Sequence, residues 1–265
     1  MEERVKKISH LNSIYMNYLT PLLKWRVMDL ESLRRECDAG PNYQHFARVI
    51  RKMEKANIVE GYKHRFNGKK YIYFSPFGEG QVASEKNPTA ISKDSLIHDI
   101  KVSEIARNFM IFGWIDHILL EHHLLNKRDF RAVYKVIPDA LLESMRNGKK
   151  IQFAFELELT QKNKQRIKEK VKQYMINSRY DYIIYFFSKE SVMNTYMNVV
   201  QDIVGKKNLY RFLFVTDKAM TAKETNLDTL YGICNERKVL VSEFLIGEKG
   251  VKEHNSDEKT CSPIR

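Results

Sequence analysis

Eight residues near the middle of the chain, Phe153-Ala-Phe-Glu-Leu-Glu-Leu-Thr160, restrict its fold more than any other stretch. Side chains of a strand alternate between faces. This run therefore sets Phe153, Phe155, Leu157 and Leu159 on one side and Ala154, Glu156, Glu158 and Thr160 on the other. The pattern buries the first face and leaves a carboxylate pair on the second. Upstream, Val136-Ile-Pro-Asp-Ala-Leu-Leu142 reads as a strand, and a turn centred on Gly148 separates the two. If they pair as a hairpin, Asp139 stands beside Glu156 and Glu158. Three clustered carboxylates are an oxygen-rich site suited to Mg²⁺ or Mn²⁺. Alternating glutamates also occur on any solvated sheet face, where they do no more than hydrate it.

Downstream of the acidic strand, Asn163 to about Ser178 reads as a helix with Ile167, Val171, Tyr174 and Met175 inward. Lys164, Arg166, Lys168, Lys170 and Lys172 fill the rest of it. A charge run is usually a solvated helix face, but this one is almost wholly positive, which favours phosphate next to the acidic site. Tyr182 to Phe187 and Tyr210 to Thr216 are continuous apolar runs of the kind found in buried central strands, separated by a helix from Ser191 to Val204. Strand, helix, strand with apolar strands implies parallel pairing covered by helices. Val239 to Leu245 reads as a late edge strand, and the polar residues 247–265 as a disordered tail.

The first third is organised differently. Residues 8–23 show apolar residues at helical spacing, with Pro21 ending or kinking the helix. Met28 to Cys37 reads as a second helix. Asn42 then caps a third, whose inward face is Phe46, Val49, Ile50 and Met53. Its other face carries Tyr43, Gln44, His45, Arg48, Arg51, Lys52 and Lys55. Two strand-like runs follow, joined by Asn67-Gly68, a pair that tolerates the positive φ of a tight type I′ hairpin. Three helices and a two-stranded ribbon is the order of a winged helix, and Tyr71-Ile-Tyr-Phe-Ser-Pro-Phe-Gly-Glu-Gly80 resembles that family's exit from the wing. The resemblance implies that the third helix enters the major groove of duplex DNA with Tyr43, Gln44, His45, Arg48, Arg51 and Lys52, while Lys63, Arg65, Lys69 and Lys70 meet phosphates. Some winged helices use the same face to dimerise, so a homodimer is the alternative.

Residues 83–93 are polar and aperiodic and read as a linker to a second domain over 94–246. That domain opens with a helix carrying Leu96, Ile97, Ile100, Ile105, Phe109 and Met110, with His98 and Glu104 as accessory candidates for the acidic site. Phe112 to Leu125 reads as a strand and a loop. Its His117, His122 and His123 invite a metal reading that no ligand spacing supports.

Composition bounds the partners. Forty-five Lys and Arg against 33 Asp and Glu give a formal charge of +12, which points to an anionic partner. Cys37, Cys234 and Cys261 are far apart with no Cys-x-x-Cys, so neither a disulfide framework nor a thiolate zinc site is implied, and a reducing cytoplasm fits. The charged N-terminus lacks the apolar core of a signal peptide, and no apolar run reaches the roughly 20 residues that span a bilayer.

The order helix, three strands, basic helix, strand, helix, strand resembles the core of the PD-(D/E)XK nuclease superfamily. Its signature is Pro-Asp on one strand, then Asp or Glu, any residue, and Lys on the next. Pro138-Asp139 and Glu156 match, while Glu158 stands where the pattern has Lys. A closer resemblance is to the replication-relaxation proteins of bacterial plasmids and mobile elements. It rests on Leu96-Ile-His98, Ile137-Pro-Asp-Ala140, Phe155-Glu-Leu-Glu158 and Lys170-Val-Lys-Gln-Tyr174 following a winged helix. These resemblances imply an α+β and α/β chain: a winged helix-turn-helix, then a restriction-endonuclease-like domain with a mixed sheet. They imply double-stranded DNA as partner, other replication or mobilisation proteins as associates, and Mg²⁺ or Mn²⁺ held by Asp139, Glu156 and Glu158. Glu158, as an anion, cannot supply the stabilisation that the usual Lys gives, and Lys162 is the nearest substitute in sequence. Lys164 and Lys168 would add phosphate contacts. The expected activity is metal-dependent phosphodiester hydrolysis, and the alternative is a regulator or replication accessory factor that keeps the fold without the chemistry.

Overall fold

The structure, a computed structural model, describes residues 17–82, 91–126, 136–177 and 179–247. The expected N-terminal helix up to residue 16, most of the linker, and the tail from 248 lie outside the described residues. The chain divides into two compact units between Glu104 and Ile105, within one helix. No helix among the described residues is long and apolar enough to cross a membrane.

In the first unit a 3₁₀ turn, Asn17–Leu19, leads into α1 (Thr20–Trp25). Pro21 lies in the first turn of α1 rather than at its end. A proline is tolerated there because the first amides of a helix have no intrahelical acceptor to lose. The second predicted helix starts later than expected: Val27–Asp29 is a strand, β1, and α2 covers Leu30–Glu36. Asp29 makes the switch, since its carboxylate accepts the Ser32 amide at 3.1 Å and caps α2. Helix α3 (Tyr43–Lys55) begins at Asn42, whose side chain accepts the His45 amide at 2.9 Å. It buries Phe46, Ala47, Val49, Ile50 and Met53, the face that the spacing predicts.

Strands β2 (Val59–Lys63) and β3 (Lys70–Phe74) pair antiparallel, with β1 on the far side of β3, in the order β1-β3-β2. The connection between them is longer than a two-residue turn. Residues 64–69 form it, and of the Asn67-Gly68 pair only Gly68 has positive φ (69°). His64 accounts for the difference, because its amide bonds the Lys69 carbonyl and its own carbonyl accepts the Gly68 amide. After β3 comes α4 (Pro76–Val82). Ser75 explains the Ser-x-x-Gly pattern: its hydroxyl accepts the Gly78 amide at 2.9 Å and donates back to the carbonyl of Asn57. Helix α5 (Leu96–Ile111) adds Leu96 and Ile100 to a cluster with Val27, Tyr71 and Tyr73, and Ser103 donates to the Val27 carbonyl at 2.8 Å.

The second unit is built on a seven-stranded mixed sheet ordered β10-β9-β8-β7-β6-β5-β4. Strands β4 (His117–Leu120), β5 (Ala140–Arg146) and β6 (Lys149–Glu158) are antiparallel neighbours. β7 (Tyr182–Phe187) and β8 (Phe212–Thr216) run parallel to β6, connected by α7 (Lys164–Ile176) and α8 (Glu190–Val204). Between β4 and β5 the expected loop begins with a short helix, α6 (Glu121–Asn126).

The late edge strand is a hairpin instead. β9 (Tyr231–Cys234) was not evident in the sequence, β10 covers Arg237–Leu240, and Val241–Ile246 turns into helix α9. Leu240 heads that helix and its amide bonds Glu243, so the apolar run that reads as a strand is split between the two states. Cys37 is a free thiol that burial pushes up to about 11.

Both faces of the central strands are covered. Phe153, Phe155 and Phe186 pack with Phe109 and Phe244 on one side. Ala154, Ile183, Tyr185 and Phe187 pack with Ile167, Val171, Tyr174 and Tyr196 of α7 and α8 on the other.

The Ser75 corner yields a stability test. A Cβ at Gly78 would lie 1.7 Å from the Ile58 carbonyl oxygen, a clash with backbone that no rotamer change relieves. We expect Gly78→Ala to destabilise the first unit by about 3 kcal/mol, measured as a lower urea midpoint at unchanged slope.

Candidate functional site

The acidic cluster forms where β5, β6 and α7 meet. Ala140 pairs with Phe155, so one residue earlier Asp139 lies opposite Glu156. The Asp139 Oδ2 accepts the Leu157 amide at 2.7 Å. In the parallel register Glu156 stands beside Tyr185 and Glu158 beside Phe187. The alternation predicted from sequence holds, but its consequence does not. Glu156 is 1% exposed and Glu158 4%, because α7 and α8 cover the face that reads as solvated. A hydrated acidic surface is thereby excluded.

Helix α7 answers the buried charge. Lys170 brings its Nζ to 2.5 Å from Glu156 Oε2, and the Tyr174 hydroxyl donates to Oε1. Lys170 and Tyr174 are four residues apart and so lie on one helix face, next to the buried stripe of Ile167 and Val171. Tyr196 of α8 hydrogen-bonds Glu158. Lys162, the substitute expected from sequence, has its Nζ 3.8 Å from Glu158 Oε2, a distance for an ion pair but not for a hydrogen bond. Glu158 Oε2 and the Tyr185 hydroxyl are both buried and have no hydrogen-bond partner.

Burial dominates the protonation of this cluster. It pushes the Glu156 carboxyl up to about 8, against the attraction of Lys170 and with the repulsion of Asp139 added. Glu158 is raised by burial too, with Lys170, Tyr196 and Lys162 opposing. Burial works against the Lys170 ammonium, yet Glu156, Asp139 and Glu158 together hold its pKa above the ordinary value. Tyr174, Tyr185 and Tyr196 are all raised, first by burial and then by the carboxylates, so each keeps its phenolic proton as a donor.

The donor set as arranged does not fit a divalent ion. Both oxygens of Glu156 are engaged by Lys170 and Tyr174, and Asp139 is turned onto a backbone amide. Among the described residues no three His, Cys, Asp or Glu side chains converge as metal ligands. An ammonium supplied by α7 neutralises the carboxylates where the sequence suggests a dication. Lys170, Tyr174, Tyr185 and Tyr196 are the members that the strand motif does not reveal. The four-residue spacing of Lys170 and Tyr174 beside an apolar stripe is the signal that could have found the first two.

The accessory candidates are engaged elsewhere. His98 Nδ1 lies 3.4 Å from Asp99, which also pairs with Arg26. Glu104 is buried and bound by Lys101, itself fully buried, at 3.0 Å. His117 lies 3.3 Å from Glu143, and the His122 and His123 rings are tilted against each other with centroids 3.9 Å apart; among the described residues there is no zinc-like grouping.

The basic residues have the exposure that the sequence predicts for most of them. On α3, Tyr43, Gln44, His45, Arg48, Arg51, Lys52 and Lys55 are all exposed. Lys63 and Arg65 of the hairpin are exposed, and Lys69 is partly so. Lys70 differs: its Nζ is 2.6 Å from Glu54, so it fastens the hairpin to α3 instead of facing outward. Lys164 and Lys168 of α7 are exposed.

Compared with protein-family models, with curated proteins and with solved structures, the chain matches none.

The raised Glu156 carboxyl makes stability depend on pH. Between the ordinary 4.5 and about 8 the folded chain holds a proton at Glu156 that the unfolded chain has released, so rising pH favours unfolding across that window. The slope approaches roughly 1.4 kcal/mol per pH unit where the two states differ by one proton. We expect the urea midpoint of the wild type to fall across this window and that of Glu156→Gln to fall measurably less.

Proposed function

We propose that this chain is a double-stranded DNA-binding protein that acts in the replication, relaxation or mobilisation of a plasmid or mobile element. On this reading its first unit works as a winged helix, and its second is a PD-(D/E)XK-like domain that serves as an accessory element without hydrolysis. The carrying observation is the outer face of α3, where Arg48, Arg51, Lys52 and Lys55 are exposed together with Tyr43, Gln44 and His45. The only acid on the helix, Glu54, is neutralised by Lys70. A helix so biased suits a polyanion, and its polar side chains have the donors and acceptors that read base edges in the major groove. Lys63, Arg65 and Lys69 would then meet phosphates beside the groove, and Lys164 and Lys168 would extend the basic surface of the second unit.

Metal-dependent hydrolysis, with Mg²⁺ or Mn²⁺, is the second reading. It is favoured by Lys170 against Glu156, which puts a lysine ammonium in a site whose strand motif lacks one, and by the partnerless Glu158 Oε2. The engaged oxygens of Glu156 weigh against it.

Two measurements separate the readings. Binding to labelled duplex should weaken steeply with salt, and Arg48→Ala combined with Arg51→Ala should lower affinity by about tenfold or more and flatten the salt dependence by about two phosphate contacts. Failure of the wild type to bind any duplex at low salt would remove the proposal. Nicking of supercoiled DNA with Mg²⁺ or Mn²⁺, lost in Asp139→Ala, would establish the second reading over the first. Duplex binding without nicking is the expected result.

A further inference from the structure

The tip of the β2–β3 hairpin carries a residue that phosphate binding does not explain. Phe66 is 71% exposed, between exposed Arg65 and the Asn67-Gly68 pair. A ring held in water forgoes the gain that burial would bring. The turn that presents it is built from within. His64 is buried, and its Nδ1 accepts the amides of Phe66 at 3.3 Å and Asn67 at 3.4 Å. The Asn67 side chain accepts the Lys69 amide at 2.9 Å and donates to the Tyr71 hydroxyl at 3.1 Å. The Gly68 amide closes onto the His64 carbonyl at 3.0 Å. These bonds fix the backbone beneath Phe66, so the ring is held out from the surface in a preorganised position. The Lys70–Glu54 pair ties the same hairpin to α3.

The surroundings identify the partner. From Gly61 to Gly78 there is no acidic residue, while Lys63, Arg65 and Lys69 flank the tip. An apolar ring ringed by cations fits an apolar target bordered by negative charge. A base step between two phosphate backbones has that chemistry, and aromatic or aliphatic side chains entering the minor groove unstack such steps and bend the duplex.

We infer that Phe66 is a wedge that enters the minor groove beside the site read by α3 and lodges between two base pairs, bending the DNA. This rests on the proposed duplex binding of the first unit. The wedge adds specificity through deformability: pyrimidine–purine steps such as TA and CA unstack most easily and should be preferred beneath the hairpin.

The test uses the full chain and an end-labelled duplex of about 30 base pairs selected on the wild type, with 2-aminopurine placed in the candidate step. Wild-type binding should shorten the end-to-end distance by energy transfer and raise 2-aminopurine emission. Phe66→Ala should lose both signals and bind about tenfold more weakly, with an unchanged salt slope because no charge is removed. Phe66→Leu, which keeps an apolar wedge, should retain most of the bend, and Arg65→Ala should flatten the salt slope and keep the bend. Phe66 is exposed, so unchanged circular dichroism is expected for each variant. Equal bending and affinity in Phe66→Ala would overturn the wedge while leaving duplex binding in place. A change in oligomeric state with the bend unaltered would also overturn it, assigning Phe66 to a protein contact. If the wild type selects no duplex and binds none at low salt, the DNA-binding reading itself fails and the wedge fails with it.

Discussion

The second unit depends on the burial of Glu156 beneath α7. A carboxylate in the middle of a sheet is costly unless it is paired and hydrogen-bonded, and here one helix supplies both partners. Lys170 and Tyr174 can reach Glu156 only when α7 lies across β6 with its Ile167, Val171 and Tyr174 stripe inward. The polar contact and the apolar packing therefore select the same docking of the helix. Since α7 is also the connection from β6 to the parallel β7, the ion pair helps to set the order of the central strands. Removing Lys170 or Tyr174 would leave the buried Glu156 carboxyl short of a hydrogen-bond partner, a loss of about 1–3 kcal/mol in comparable cases.

The same arrangement separates the two kinds of charge on the chain. The acids of the second unit's centre are turned inward and balanced by Lys170 and Lys162, while α3, the hairpin and the outer side of α7 keep cations in water. An anionic partner would thus meet these exposed cations and not the buried Glu156 and Glu158. This is the physical basis for placing DNA binding ahead of hydrolysis in the proposed function. Glu156, at the centre of the acidic strand, is held by lysine and tyrosine.

In the first unit, two small devices fix the hairpin. Ser75 clamps the exit of β3 against the Asn57–Ile58 backbone, with Gly78 leaving room for the Ile58 carbonyl. Lys70 and Glu54 join the hairpin to α3. Together with the His64 turn they make the hairpin and helix a fixed frame, the property required of a surface that would read a rigid duplex.

Local signals determined a good deal. The 3.6-residue spacing of Phe46, Val49, Ile50 and Met53 defined α3 and its outward basic face, and Asn42 marked its start. Period-two alternation defined β6, and the apolar runs defined β7 and β8 as buried strands, because side-chain direction follows directly from backbone period. Signals shared by two states were misread: Met28 and Asp29 joined a strand because β3 offered them a partner, and the run from Val239 divided between β10 and α9. The site was half legible. Sequence alone placed Asp139, Glu156 and Glu158 together, since a hairpin register needs only its turn and its alternation. Whether that face met water or protein was decided by the tertiary structure. Burial depends on how the helices pack back on the sheet, and α7 and α8, lying over this face, turned an apparent acidic surface into a closed cluster governed by Lys170 and Tyr174.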